Sequence, residues 1–429
     1  MAAHSGYLKR LLVVIIGTTG IAASINFLVD PYGLFGNGPW AGINVLKPAS
    51  AERMRVVKPY LAERMAATTV IGGNSRPELG IDPMSQCWPA SYQPVFNAGI
   101  AGASFSYQAS LSMHASGTTA TRILHGVDFL DFIHPTGALS EPGNKAPSRS
   151  PEERRLFVAG LHPQDFSHLV QRTIDRLKAL FSLTTLADSF YTVVAQRDAN
   201  ASTRTSAGFN PARDYFEIIR HEGQQVLFAQ KNRELIDRLS HSFQLDPDTG
   251  DAQSSFEALR RLIEWSKKQK VELVLFINPY HVEYLAILER SGKWRLFEEW
   301  KRSLVNITDN AAVSLWDFNT IDTYSAEQPP DAGDRRTVLR WFWEPAHYRS
   351  ALGDVMLERM LATNCGAAAN DAPFGTKLTT RSLEEHLLSL RRRLESHLRD
   401  GKVAANAATD GSNSKTDAAK KMSAAGSGR

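Results

Sequence analysis

The chain has 429 residues, of which 43% are hydrophobic and 22% are charged. This length allows one large or two medium domains, and the proportions are ordinary for globular proteins. They exclude a wholly disordered chain and a transporter with many membrane spans. Lysine and arginine number 49 against 45 aspartates and glutamates. Part of this small excess lies near the chain ends, so the charge gives no argument for a nucleic-acid partner.

The first predicted element is an apolar segment, residues 11–29, which contains no charged residue. A helix of this length reaches about 28 Å, enough to cross the hydrocarbon core of a bilayer. A Lys-Arg pair precedes it, so the positive-inside rule keeps residues 1–10 in the cytoplasm and exports the chain from Asp30 onward. The favoured interpretation is a single membrane anchor. The alternative is a signal peptide cleaved near residues 22–24, which are small.

After the anchor, short apolar strand patterns alternate with amphipathic helix patterns. Strands are predicted at residues 68–72, 94–100, 122–128, 270–277 and 311–318. Helices are predicted at residues 50–66, 254–269 and 351–362. Buried strands that alternate with helices predict an α/β fold, in which helices flank a parallel sheet on both faces.

The predicted exported domain spans residues 30–400 and has one long interruption. Residues 138–253 carry few strand patterns, so we predict a mainly helical insertion there. Residues 401–429 contain no aromatic and almost no large aliphatic side chain. Such a segment cannot bury enough surface to fold, and it is predicted to be a disordered tail.

The chain has only two cysteines, Cys87 and Cys365. Two are too few for a disulfide framework or for a zinc site built from cysteines. They could form a disulfide if the compartment is oxidising, but the sequence does not decide whether they do. No cluster of histidines and carboxylates indicates a metal ion, and no glycine-rich loop suits a phosphate. We therefore expect neither a metal nor a cofactor.

Two fragments carry candidate catalytic residues. Ser75 follows the predicted strand 68–72 on the glycine-rich turn GGNS. A serine there can be exposed beside a free backbone N–H, as a nucleophile that attacks an acyl carbon requires. Far downstream, in EPAH, Glu344 precedes His347 by three residues. The carboxylate can orient the imidazole to accept a serine proton. Each fragment alone is more often a plain turn, but together they predict a Ser-His-Glu triad.

In this order the fragments resemble the SGNH (GDSL-like) hydrolase superfamily. Its pattern is a G-D-S turn after the first strand, a second-strand glycine, a G-x-N-D turn and a C-terminal D-x-x-H. The resemblance covers residues 66–362 without the insertion. It implies Ser75 as the nucleophile, His347 as the general base and Glu344 as the orienting acid. It also implies an oxyanion hole built from the N–H groups of Ser75 and Gly102, the latter in NAGIAGAS.

The chain departs from the family pattern at three positions. Asn74 replaces the aspartate of G-D-S, and Glu344 replaces the aspartate of D-x-x-H. The third departure is Asp128, in GVDF, where the family has an oxyanion-hole asparagine. An ionised carboxylate would repel a developing oxyanion, and loss of one such donor typically costs about 100- to 1000-fold in rate. Asp128 could instead be protonated by burial and belong to the oxyanion hole, or its side chain could point elsewhere. A charged Asp128 favours an alternative in which the domain is catalytically degenerate.

The finer sequence, in NSRPELGIDP, NAGIAGAS, HGVDFLDF, FINPYH and FWEPAHY, resembles the single-anchor proteins of bacterial exopolysaccharide clusters. These are similar to the proteins that O-acetylate alginate and to those that act in teichoic-acid D-alanylation. The resemblance implies an inner-membrane protein whose periplasmic domain transfers or hydrolyses acyl groups, most simply acetyl, on an exported polysaccharide. It also implies a multi-span acyltransferase partner. The alternative is a degenerate domain that binds polysaccharide or scaffolds an export complex.

Five further residues are candidates for substrate binding. Asn278, Tyr280 and His281 follow the clearest predicted strand, at the sheet edge where α/β proteins bind ligands. His281 could instead be a second base or a structural cap. Arg76 could hold a charged group of the substrate or form a surface salt bridge. Trp343 could stack on a sugar or fill the core.

Overall fold

The computed structural model describes residues 2–117, 119–137, 149–160, 166–247, 254–368 and 374–400. The predicted tail 401–429 and part of the predicted insertion lie outside these residues. The strands are β1 Thr69–Gly72, β2 Val95–Asn97, β3 Arg122–Val127, β4 Ile133–Pro135, β5 Phe243–Leu245, β6 Glu272–Ile277, β7 Ser314–Asp317, β8 Phe342–Glu344, β9 His347–Tyr348 and β10 Thr376–Leu378. The helices are α1 Ala2–Val29, α2 Met54–Met65, α3 Ser75–Gly80, α4 Phe105–Ser116, α5 Pro151–Arg154, α6 Ser167–Phe181, α7 Leu183–Ala195, α8 Arg213–Glu222, α9 Gln224–Leu239, α10 Ser255–Gln269, α11 Val282–Arg290, α12 Trp294–Asn310, α13 Ser350–Leu361 and α14 at residues 383–400.

The centre of the fold is a six-stranded sheet with the strand order β10-β7-β6-β3-β1-β2. Neighbouring strands are parallel, except that β10 is antiparallel to β7. Parallel neighbours need crossover connections, which usually place helices over the sheet. The predicted α/β fold, with a mostly parallel sheet flanked by helices, is thereby confirmed.

Neighbouring residues of one strand belong to two separate cores, one on each face of the sheet. Val70 and Leu275 pack into the larger core, which also holds side chains of α2, α4 and α10. Ile71 and Phe276 pack into the second core, with α13. Successive side chains of a strand point to opposite faces. Because both faces are covered, these strands are apolar throughout instead of alternating.

The predicted strands all form, within shorter bounds than the sequence indicates. The predicted helix 254–269 begins one residue later, because the Ser254 hydroxyl accepts the N–H of Phe256 at 3.2 Å and caps α10. The sequence missed the β8–β9 hairpin and the edge strand β10. Strands of two or three residues carry too little periodicity to be detected.

Helix α1 is the long apolar helix at the N-terminus. It spans 28 residues, more than the predicted 11–29. Its part Gly6–Val29 is the one helix within the described ranges that is long and apolar enough to cross a bilayer. The chain then turns at Asp30, whose carboxylate accepts the N–H groups of Leu34 at 2.7 Å and Gly36 at 3.1 Å. These bonds fix the direction in which the chain leaves the helix.

A disulfide joins Cys87 to Cys365. The sequence left open whether these two cysteines pair, and in this structure they do. It links the segment after α3 to the segment after α13. These two helices also pack directly on each other, and a Cβ atom on Gly353 would lie 1.7 Å from the carbonyl oxygen of Gly80. Only a glycine at 353 allows this approach. The two chain segments that follow Ser75 and His347 are therefore held together twice.

We expect removal of the disulfide to lower the free energy of unfolding by about 2–4 kcal/mol, because a cross-link over a long loop restricts the unfolded chain. The two cysteines are 278 residues apart. Urea unfolding of Cys87→Ser, Cys365→Ser and the double variant should give equal losses. Reducing agent should destabilise the wild type and leave the double variant unchanged. A wild type with the same unfolding midpoint in both conditions would contradict this prediction.

Candidate active site

Ser75 is the first residue of α3 and directly follows the turn that ends β1. Gly73 in this turn has φ +127°, a conformation that favours glycine, and a Cβ there would lie 2.9 Å from the carbonyl oxygen of Gly126. Asn74 caps the helix, since its side-chain oxygen accepts the N–H of Arg76 at 3.0 Å. The first N–H groups of a helix have no partner within it. The turn therefore presents both the hydroxyl and the N–H of Ser75 at the carboxyl end of the sheet.

A buried ion pair holds helix α3 in place. Glu78 accepts a bond from the Lys58 ammonium at 2.9 Å, and Arg204 adds a second contact to the same oxygen at 3.1 Å. Burial lowers the pKa of Lys58, and Glu78 offsets part of this effect. Because Glu78 lies one turn after Ser75, the pair helps to fix the position of the serine.

Glu344 and His347 face each other across the β8–β9 hairpin, in which they form the last pair of the ladder. Pro345 and Ala346 make the turn between them. One carboxylate oxygen of Glu344 accepts the N–H of Ala346 at 2.9 Å, while the other contacts Nδ1 of His347. The three-residue spacing noted in the sequence is therefore the spacing of a tight hairpin.

Ser75, His347 and Glu344 form one connected chain of hydrogen bonds. The Ser75 Oγ atom lies 2.7 Å from Nε2 of His347, although 272 residues separate them. The His347 side chain is 18% exposed and that of Glu344 only 1%. Burial alone would raise the pKa of Glu344, but the imidazole and the N–H of Ala346 lower it below its ordinary value. A charged Glu344 favours the tautomer in which Nε2 accepts the proton of Ser75.

These residues lie on a cavity of about 550 Å³. Its walls also include the turns that follow β2 and β3 and one face of α9. Gly102, in the turn after β2, has φ +65°, and its carbonyl oxygen accepts a bond from Arg55 at 2.6 Å. Strands β1, β2 and β3 are parallel neighbours. Their carboxyl ends therefore bring Ser75, Gly102 and Asp128 to one edge of the sheet, as the sequence predicts.

The carboxylate of Asp128 is paired with Arg76. Nη1 of Arg76 lies 2.7 Å from Oδ2, and the two side chains are 8% and 1% exposed. The Tyr280 hydroxyl donates to the same oxygen at 2.9 Å, and the N–H of Leu130 donates to the other at 3.1 Å. Burial alone would lower the pKa of Arg76, but the charge of Asp128 more than offsets it and raises that pKa. The surface salt bridge considered for Arg76 is thus wrong, because the pair is buried.

Three of the predicted substrate contacts lie beneath the cavity wall and not on it. The Tyr280 hydroxyl donates a hydrogen bond to the carboxylate of Asp128. Asn278 donates to the carbonyl oxygen of Val127 at 3.1 Å. His281 caps α11 through Nδ1, and its Nε2 contacts the carbonyl oxygen of Glu327 at 2.8 Å. None of the three has an exposed side chain. The structure therefore does not place these three side chains on the cavity, and His281 has the position of a helix cap.

Trp343 also differs from its predicted role as a sugar-stacking platform. It is buried and stacks on Tyr215, with the ring centroids 5.9 Å apart, while the Arg349 guanidinium lies 4.4 Å from its ring. The Tyr215 ring lies 6.2 Å from that of His347. Because β8 turns the Trp343 ring into this aromatic cluster, the residue supports the wall behind His347 and does not contact the cavity.

The sequence missed the face of α9 that lines the cavity. Lys231, Glu234 and Arg238 lie on this face, and Lys231 donates to Glu234 at 2.7 Å. This hydrogen bond, the largest of several influences, lowers the pKa of Glu234. Spacings of three and four residues place the three side chains on one side of a helix. This spacing is present in the sequence, but a charged face of a helix usually indicates exposure to solvent.

A further carboxyl group in the cavity, that of Asp131, has a raised pKa. Burial and, after it, the nearby charge of Asp128 raise the pKa of Asp131 to about 7. One of its oxygens accepts bonds from Asn74 at 3.2 Å and Gln108 at 3.0 Å. Across the described residues, no group of three or more His, Cys, Asp or Glu side chains could hold a metal ion.

Comparison of the chain with protein-family models and with curated proteins finds no match in either. A functional proposal therefore rests on the fold, on the geometry of the cavity and on the motif resemblance of the sequence.

Proposed function

We propose that this protein is an acyltransferase or esterase of the SGNH type, in which Ser75 is the nucleophile, His347 the general base and Glu344 the orienting acid. The observation that carries the proposal is the 2.7 Å contact between Ser75 Oγ and His347 Nε2, with Glu344 on the other ring nitrogen. A nucleophile bonded to a base that a third group orients is the arrangement that acyl transfer requires. The position of Ser75 after the first strand agrees with the family pattern.

In this mechanism His347 takes the hydroxyl proton as Ser75 Oγ attacks the carbonyl carbon of an O-acyl group. The N–H groups of Ser75 and Gly102 stabilise the negative oxygen. His347 then donates its proton to the departing alcohol, and an acyl-serine remains. A sugar hydroxyl or water attacks this ester, His347 takes the proton of the attacking group, and it returns that proton to Ser75 when the acyl group leaves.

The pairing of Asp128 supports an enzyme over the degenerate alternative. An isolated carboxylate beside the oxyanion would oppose catalysis. Here the charge of Asp128 is balanced by Arg76 at 2.7 Å, and both of its oxygens accept hydrogen bonds. The residue that most weakened the enzymatic interpretation is therefore a charge-balanced and hydrogen-bonded part of the cavity wall.

Three features support the proposed location and substrate. The apolar helix Gly6–Val29 with its preceding Lys-Arg pair agrees with a single-pass inner-membrane anchor and a periplasmic domain. The disulfide agrees with an oxidising compartment. The charged α9 face on the cavity agrees with a polar, hydroxyl-rich substrate such as an exported polysaccharide. For transfer, an acyl donor made in the cytoplasm requires a multi-span membrane partner to deliver it.

The test uses the full-length protein in detergent, treated with a fluorophosphonate that acylates activated serines and with a chromogenic acetate ester. We expect the probe on the peptide that contains Ser75, and no labelling of Ser75→Ala. Ser104→Ala is the matched control, because Ser104 lines the same cavity but has no bond to His347. Labelling that persists in Ser75→Ala would contradict the proposal. A wild type that neither reacts nor turns over ester, yet binds polysaccharide, would favour the scaffold alternative.

A further inference from the structure

Helix α6 has the reverse of the polarity expected on a water-soluble domain. Its buried positions include the polar residues Gln171 and Asp175. Its large exposed apolar residues are Leu169, Val170, Ile174, Leu177 and Phe181. The buried polar groups are satisfied, since Asp175 accepts bonds from Arg155 at 2.6 Å and from Tyr60 at 2.9 Å. The inward face is thus a stable polar contact, whereas no residue in the described part of the chain covers the apolar face.

Helix α7 repeats this reversal. It buries Thr185, Ser189 and Thr192. Its most exposed apolar residues include Leu183 at 78% and Val194 at 74%. Large contiguous apolar surfaces are uncommon on soluble monomers and mark sites of protein or membrane interaction. Two successive helices with the same reversed polarity therefore form one surface, which we call the α6–α7 face.

The α6–α7 face is attached to the end of the predicted membrane helix. Asn26 in α1 donates to the carbonyl oxygens of Leu180 at 2.9 Å and Ser182 at 3.2 Å, in the turn between α6 and α7. Ser189 donates to the Asn26 side-chain oxygen at 3.1 Å. Asn26 lies three residues before the end of α1, about 4.5 Å along the helix axis. Amphipathic helices on membranes bury their apolar faces to about 5–10 Å.

The chain that follows α1 adds to the same apolar surface. Trp40, Ile43 and Val45 are exposed on a loop that is held to the end of α1, because the Asn44 amide donates to the carbonyl oxygen of Val29 at 3.1 Å. Tryptophan is enriched at membrane–water interfaces. The apolar residues therefore surround the point where α1 leaves the bilayer.

We propose that α6 and α7 lie in the surface of the bilayer that α1 crosses, with the α6–α7 face among the lipid chains. The occupant is lipid and not a partner protein, because the face is attached to the end of a helix that is long and apolar enough to cross a bilayer. Its depth, given by the Asn26 contacts, matches that of an interfacial helix. The domain thus has a second membrane contact, which fixes its orientation. The proposal does not depend on the catalytic function.

The test places a fluorescent label on single cysteines introduced into the full-length protein without the Cys87–Cys365 pair, reconstituted in phosphatidylethanolamine/phosphatidylglycerol vesicles. The substitutions Leu177→Cys and Val194→Cys probe the face, and both positions are exposed, so folding should persist. Arg295→Cys is the control, on exposed α12 surface away from the face. Nitroxide groups on the lipid chains should quench the two face labels at least about twofold and the control much less.

Equal quenching at all three positions, or none at the face, would overturn the lipid assignment. If the face labels stay unquenched in pure vesicles but are protected from a soluble quencher in native membranes, the α6–α7 face would instead contact a partner protein. Circular dichroism and the thermal unfolding midpoint of each labelled variant verify that the fold is retained. Quenching at Leu177→Cys and Val194→Cys with no activity at Ser75 would keep this inference and reject the proposed function.

Discussion

Replacement of Ser75 by alanine is expected to lower ester turnover by about 10⁶-fold, because the acyl group then has no nucleophile to attack it. His347→Ala should cost a similar factor, since Ser75 Oγ contacts Nε2 of that imidazole. The double variant should be little slower than either single variant, because residues that act as one unit are strongly non-additive. Initial rates with a small acetate ester provide the measurement.

Glu344→Gln should leave a faster enzyme than either of these variants. An amide retains the hairpin contact but loses the charge that favours the reactive tautomer of His347, and a loss of about 10⁴-fold is typical of such a change. Ser104→Ala should retain the wild-type rate within a few-fold. Unfolding midpoints close to wild type would exclude a general structural cause. Unchanged polysaccharide acylation in cells that carry Ser75→Ala would contradict the catalytic assignment.

Asp128→Asn is expected to reduce the free energy of unfolding by about 3–5 kcal/mol, because it leaves the buried charge of Arg76 without a partner. The pair lies within 2.7 Å and is almost fully buried. Replacing both members, in Arg76→Met with Asp128→Leu, should cost less than Asp128→Asn alone. Urea unfolding of the wild type and of these two variants gives the comparison.

The matched control for this prediction is the exposed ion pair between Arg302 and Glu384. Its two contacts, at 2.8 and 2.9 Å, are close in length to the 2.7 Å contact of the buried pair. Glu384→Gln should change stability by about 0–1 kcal/mol, because solvent screens an exposed pair. If Asp128→Asn instead kept full stability and increased ester hydrolysis, Asp128 would be an uncompensated charge in the oxyanion site.

The parts of the site that the sequence could predict are those set by local chain geometry. Ser75 follows a strand by three residues, and Glu344 lies three residues from His347, so each fragment carries its own signal. The role of Asp128 depends instead on β1 and β3 being neighbours, which brings Arg76 within reach. No pattern within either strand contains that information.

The roles of other residues could not be predicted from the sequence. Periodicity shows which residues share a face of a helix or strand, but it does not identify what that face contacts. The α9 residues Lys231 and Arg238 have the spacing of a solvent-exposed face, yet they line the cavity. Trp343 reads equally well as core or as a sugar platform. The apolar face of α6 has the pattern of a helix packed on a core, but in the structure that face is exposed. Tertiary placement decides each case.

Because Ser75 and His347 are far apart in the sequence, they are also synthesised at different times. Chains are synthesised from the N-terminus, so the serine is made 272 residues before the histidine that it contacts. During that interval α9, the crossovers to β6 and β7, and the β8–β9 hairpin have still to be made. The Ser75–His347 contact can therefore form only when nearly all of the domain has been synthesised. A chain whose synthesis stops earlier carries Ser75 without its histidine partner.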